Sequence, residues 1–254
     1  MLKLNELAFV EECLQNKQSI ENKIDIYDFI VLLCRYYQEP KYENKICEDL
    51  SILYPRTFWR EKYIMYISKI LNSKRYKKPL RAFDYIELTK FEMDSIKRLT
   101  DKRLQKLAAT CLVLGKYYDN NGWIALYEMP DIKRLFEMAN LRECIDDRFS
   151  LLFQLEQAGI LRGTKRGDNI NEQVILEPKG RVVYKVTSLN NVGNQLYTYL
   201  NPQYCMCQIC GRLKRRKNIM GRPPRYCDKC QAEALRQRVS KHNLRVKLTK
   251  SQSS

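Results

Sequence analysis

Five of the chain's ten cysteines crowd between positions 205 and 230. Four of them form two Cys-x-x-Cys pairs, Cys207-Gln-Ile-Cys210 and Cys227-Asp-Lys-Cys230, separated by sixteen residues. Two residues between thiolates let one tight turn aim both sulfurs at one ion, and a second pair completes a tetrahedron, the pattern of a structural zinc ribbon. Gly211, directly after the first pair, supplies the backbone freedom such a turn needs. Four thiolates leave no open position for water, so the expected Zn2+ folds the segment and does not catalyse. Cys205 is either a spare thiol or an alternate ligand to Cys207. Cys13, Cys34, Cys47, Cys111 and Cys144 sit among apolar or helical neighbours and read as small core hydrophobes. His242, the single histidine, is not expected to be a ligand where four cysteines are available.

Charge gathers on the same segment. Residues 202–254 hold 14 Lys and Arg against Asp228 and Glu233, a net +12 of the chain's +17. That concentration is the footprint of a polyanion-binding tail. Between the two cysteine pairs, Arg212, Lys214, Arg215, Arg216 and Lys217, then Arg222 and Arg225, are candidate phosphate contacts. Gly221-Arg-Pro can lie along a narrow minor groove, or Pro223-Pro224 simply sets the approach to the second pair. From Gln231 a short helix is expected to carry Arg236, Arg238 and Lys241, and 243–254 reads as a flexible basic tail.

The body reads as mainly helical α+β. Residues 1–82 form an expected helical unit: Asp25 to Tyr37 starts on an acidic first turn and stops before Pro40, Asn44 to Leu53 follows, and Thr57 to Leu71 carries an apolar stripe that reads as core. Residues 83–200 change pattern. Thr89-x-x-Glu92 is a capping box opening a helix toward Tyr118 with a break near Thr100. A helix from Pro130 to Ala139 follows, then one from Arg142 to Ala158 with Ile145, Phe149, Leu152 and Leu155 as its inner face and Gly159 at its end. A basic turn, Arg162 to Gly167, precedes two β-patterned runs at 173–176 and 181–186, expected to pair as a hairpin. Three helices followed by a hairpin is the layout of a winged helix-turn-helix. The third helix is acidic overall, with Arg142 and Arg148 against Glu143, Asp146, Asp147 and Glu156. It reads either as a base reader or as a dimerisation or protein-docking face; Lys165 and Arg166 in the following turn suit phosphates better.

Several stretches carry a resemblance: Phe83 to Thr89, Arg103 to Tyr118, Asn121-Gly-Trp123, Leu155 to Leu161 and the Cys207/Cys210/Cys227/Cys230 ribbon. On these the chain resembles an uncharacterised family of phage and mobile-element proteins of Gram-positive bacteria, over about residues 83–231. The resemblance implies a winged-helix body with a ribbon (201–242) and a mobile-element origin. The long basic insert between the cysteine pairs departs from the short linker common in that family.

The expected function is therefore nucleic-acid binding, DNA first and RNA second, in replication or transcription of a mobile element. The alternative is an adaptor or inhibitor docking on a host machine such as an RNA polymerase or an RNA-guided nuclease. No P-loop, Cys–His nucleophile pair or cluster of carboxylates suggests an enzyme. No apolar run approaches the roughly 18 residues of a membrane span, and the polar start at Met1-Leu-Lys-Leu-Asn-Glu lacks a signal-peptide core, so a soluble cytoplasmic protein is expected, as a monomer or homodimer.

Overall fold

The computed structural model describes residues 4–73, 78–118, 121–126, 129–166, 169–216 and 219–236. The chain is mixed α/β, about 53% helical with small sheets. It divides into two compact units, Met1–Ile86 with Thr187–Leu189, and Glu87–Val186 with Asn190–Ser254.

The first unit is built from helices α1 (Glu6–Asn16), α2 (Ile26–Tyr37), α3 (Glu43–Leu53) and α4 (Arg60–Leu71). The first two starts have a local cause. The side chains of Asn5 and Asp25 accept from the amides of Ala8 and Tyr27, capping donors that have no partner within the helix. Pro40 ends α2's course by opening a 3-10 turn that leads into α3. Phe29, Ile30, Leu33, Ile46, Leu50 and Ile67 are fully buried and hold the four helices together. The stripe on α4 is core, as Tyr63, Ile67 and Leu71 are all buried. A buried charge ties the unit's ends: Glu6 meets Arg35 at 3.0 Å and Arg81 at 3.1 Å, and also accepts from the Arg81 amide.

The second unit opens with β1 (Ile86–Thr89) and α5 (Lys90–Lys97), where the Thr89–Glu92 capping box is formed. The next helix, α6 (Lys102–Tyr118), is buried along nearly its whole length, so it forms the axis on which the other elements pack. Then come β2 (Trp123–Leu126), α7 (Met129–Met138), α8 (Ile145–Gln157), β3 (Leu161–Arg166) and β4 (Asn169–Val174). β4 lies between β2 and β3, antiparallel to both, with Ile124 and Gly163 flanking Glu172 in register. Next, β5 (Val182–Val186) pairs with β1, α9 (Val192–Leu200) lies on α6, and β6 (Tyr204–Met206) and β7 (Leu213–Arg215) form a small hairpin.

Five expectations are corrected here. The run at 181–186 does not pair with 173–176; it joins β1, and the hairpin is β3 with β4. Of the basic turn expected over Arg162 to Gly167, residues 162–166 belong to a strand, and Gly167 lies outside the described residues. On α8 the buried residues are Leu151, Leu152 and Leu155, whereas Ile145 is 40% exposed and Phe149 is half-buried. The helix starts at Ile145, not Arg142, so its first turn projects past the core. Cys144, at the cap before it, is exposed and not a core thiol; the other four scattered cysteines are buried.

Candidate metal centre and its basic surround

The sulfurs of Cys207, Cys210, Cys227 and Cys230 all lie within 4.8 Å of one another, and Cys210 and Cys227 are 3.7 Å apart. A tetrahedral ion with metal–sulfur bonds of about 2.3 Å requires sulfur separations of roughly 3.8 Å, so the cluster fits one tetrahedral metal. Local hydrogen bonds shape it. The Cys207 amide donates to Arg212 O and the Gly211 amide to Cys207 O, each at 2.9 Å, so the first pair sits in the turn of the β6–β7 hairpin. The second pair opens a helical turn in which the amides of Cys230 and Gln231 donate to Cys227 O. The Gln208 amide donates to Arg225 O and fastens the two halves together.

Among the thiols the proton is unevenly held. Burial pushes Cys207 up, but the amides of Cys210, Cys227 and Ile209 outweigh it and bring the group down to about 6. Cys230 is pushed up to about 12 by its contacts with the thiols of Cys227 and Cys210. Cys205 stands apart: it faces Lys214 across the hairpin, its sulfur 3.5 Å from that residue's carbonyl, and it is not among the four.

The hairpin rests on the body through close backbone approaches. Gly211 has φ +69°, and a Cβ there would lie 2.4 Å from the Asn191 side chain. Asn191 in turn accepts from Asn140 at 2.8 Å, and both residues hold left-handed backbones. Asn194, 1% exposed, donates to Gly211 O at 2.8 Å. A Cβ on Gly193 would meet the Ala139 carbonyl oxygen at 2.5 Å, so the start of α9 is pressed against the end of α7. Lys102 reaches the rings of Tyr197 and Tyr204, 5.3 and 5.4 Å from their centroids, from the far side.

The basic residues singled out by sequence fall into distinct groups. Arg212, Arg215, Arg222, Arg225 and Arg236 are solvent-exposed around the cluster. Lys214 is engaged by Asp228 at 2.5 Å. Arg216 is a structural tie: its guanidinium donates to the carbonyls of Pro202, Ile219 and Gly221 and holds the loop closed. Arg142 is exposed before α8, while Arg148 donates to Glu143 O and lies 5.6 Å from the centre of the Phe136 ring. Lys165 and Arg166 belong to β3. Lys217, Arg238 and Lys241 lie outside the described residues.

Sequence reasoning missed Tyr184, Tyr199 and Tyr204, which line one cleft, and the asparagines that dock the hairpin. Neither group has a periodic signal, because β5, α9 and β6 are joined only by the fold. No protein-family model, curated protein or solved structure matches this chain. No helix among the described residues is long and apolar enough to cross a membrane.

Proposed function

We propose that the protein binds nucleic acid, DNA in the first place, through a zinc ribbon whose exposed arginines contact phosphates, in replication or transcription control of a phage or mobile element. The observation that carries this reading is that Arg212, Arg215, Arg222, Arg225 and Arg236, close in sequence to the four clustered thiols, are all solvent-exposed. Of the two acids in that segment, Asp228 is already taken by Lys214. Four thiolates with tetrahedral spacing favour zinc. The second unit is read as a winged helix: the order α6-β2-α7-α8-β3-β4 with β4 central supports it. The charge distribution favours phosphate contact by the ribbon over contact by α8, whose Arg148 lies against Phe136.

Counterion release gives the test. Five contacting arginines predict a slope of log K against log salt of about −4 to −5 on duplex DNA. Replacing Arg212, Arg215, Arg222 and Arg225 by glutamine should flatten it by about three to four units on every sequence alike. No salt-dependent binding to DNA or RNA at low salt overturns the proposal. One observation favours a protein-docking role for α8 in addition: Phe153 is 58% exposed and Ile145 40% exposed beside Asp146 and Asp147. A Phe153→Asp variant that binds DNA normally but no longer acts in the host would assign that face to a protein partner.

A further inference from the structure

Beside the hairpin, α9 and the 222–225 segment enclose an open cleft of about 750 Å³. Its composition differs from that of the exposed ribbon surface. Gln195, Thr198 and Tyr199 reach it from one face of α9, at the i, i+3, i+4 spacing that puts side chains side by side on a helix. Tyr184 from β5 meets Tyr199 with ring centroids 4.9 Å apart at 59°, and Tyr204 adds a third ring from β6. Facing them are Arg222, Pro223, Pro224 and Arg225, and among the described residues no acidic one lines the cleft. Tyr199 is 43% exposed although its neighbours Leu196, Tyr197 and Leu200 on the same helix are buried. A large ring left open on a well-packed helix, against a wall of arginine and proline, is unfinished as packing.

We infer that this cleft is a base-binding subsite for single-stranded nucleic acid, with Tyr199 as the stacking platform and Arg222 and Arg225 holding the flanking phosphates. This rests on the nucleic-acid reading of the ribbon and adds which form of the polymer it takes. A base inside a duplex shows neither face, so only an unpaired base can use an aromatic wall. The arginines that flank the rings supply the charge a backbone needs on either side of the stacked base. An acidic protein segment would satisfy the arginines and leave the rings unused. A cleft of this volume is in the range of sites that enclose small ligands, so it accommodates a flat base and not a double helix. Tyrosines stack on any base, so little sequence preference is expected at this subsite.

The test uses the full-length, metal-loaded protein. Anisotropy titrations would compare an oligothymidylate and an oligouridylate of about twelve nucleotides with a duplex of equal length. Tyr199→Ala is expected to weaken both single strands about tenfold, leaving duplex affinity and salt slope unchanged, because stacking carries no counterion release. Tyr199→Phe should retain wild-type binding, and a single strand carrying 2-aminopurine should be quenched by wild type and by Tyr199→Phe but not by Tyr199→Ala. The wild-type affinities for oligothymidylate and oligouridylate tell DNA from RNA as the preferred strand. If both strands bind with a clear salt slope but Tyr199→Ala changes nothing, the subsite is refuted while the ribbon reading stands. Should the duplex and both single strands fail to bind wild type, both readings fall together. Tyr199 is exposed, so its truncation is not expected to disturb the fold, and an unchanged melting temperature checks this.

Discussion

Replacing Glu172 by glutamine should make the protein more stable at alkaline pH and leave it nearly unchanged in mild acid. Glu172 is on the central strand β4, 2% exposed, and opposite Gly163 on β3. A Cβ on Gly163 would lie only 2.0 Å from the Glu156 carboxylate, which shows that this second acid reaches from α8 over the glycine to the same place. Burial, then the neighbouring Glu156 charge and the hydrogen bond to it, raise Glu172 from 4.5 to about 8. The folded chain therefore keeps a proton that the unfolded chain releases near pH 4.5. Between those limits the folded state binds more protons, so stability falls as pH rises. It levels off above pH 8, where both states have lost the proton.

The size follows from the same shift. Each pH unit in the window costs up to about 1.4 kcal/mol, so the full window is worth roughly 3–5 kcal/mol. Glutamine remains neutral and its amide can still donate to Glu156. Urea unfolding at half-unit steps from pH 5 to pH 8.5 should show Glu172→Gln within about 1 kcal/mol of wild type at the acid end and about 2–4 kcal/mol more stable at the alkaline end. Taking the difference between the two proteins cancels every titrating group that does not interact with Glu172, the four clustered thiols included. A difference that stays constant with pH would show that Glu172 ionises normally.

Three further outcomes are expected. Gly193→Ala should destabilise the second unit by about 1–3 kcal/mol, because the new methyl meets backbone of Ala139 that cannot move aside; thermal melting measures it. The purified, reduced protein should carry one metal ion per chain, and Cys227→Ser should lose it, with acid promoting release from the intact site because protons compete for the thiolates; elemental analysis after dialysis decides this. A chain ending at Tyr199 should melt earlier than the full protein, since it strips Asn194 of its Gly211 partner and bares Tyr197; an unchanged melting temperature would show that the ribbon adds nothing to the body.

What could be read from sequence was local. The cysteine pairs are legible because two residues between thiolates constrain a single turn, and the helices of the first unit are legible because Asp25, Pro40 and the α4 stripe act within a few residues of themselves. The hairpin was not. Gly163 and its charged neighbours look like turn chemistry, yet Gly163 sits mid-strand because Glu156 occupies the space where its side chain would be. The docking of the four-cysteine segment is invisible in sequence for a different reason. It depends on left-handed backbones at Asn140 and Asn191, positions 51 residues apart that no period connects.

The same distinction bears on how net charge is translated into binding. Seven cations lie between Arg212 and Arg225, and if all met phosphate they would give a salt slope of about −6. Lys214 and Arg216 are occupied internally, one by Asp228 and the other by three backbone carbonyls that close the loop. Arg216 thus does its work by holding Pro202 to Gly221, the frame that presents Arg222 and Arg225 to the cleft. Its replacement by glutamine should weaken binding through loss of that frame and without the unit change in salt slope that removing a phosphate contact brings. Arg215→Gln, one position away and exposed, should do the reverse: about one unit of slope with no loss of thermal stability. Adjacent arginines of identical chemistry would then divide between architecture and recognition according to what their guanidinium groups touch.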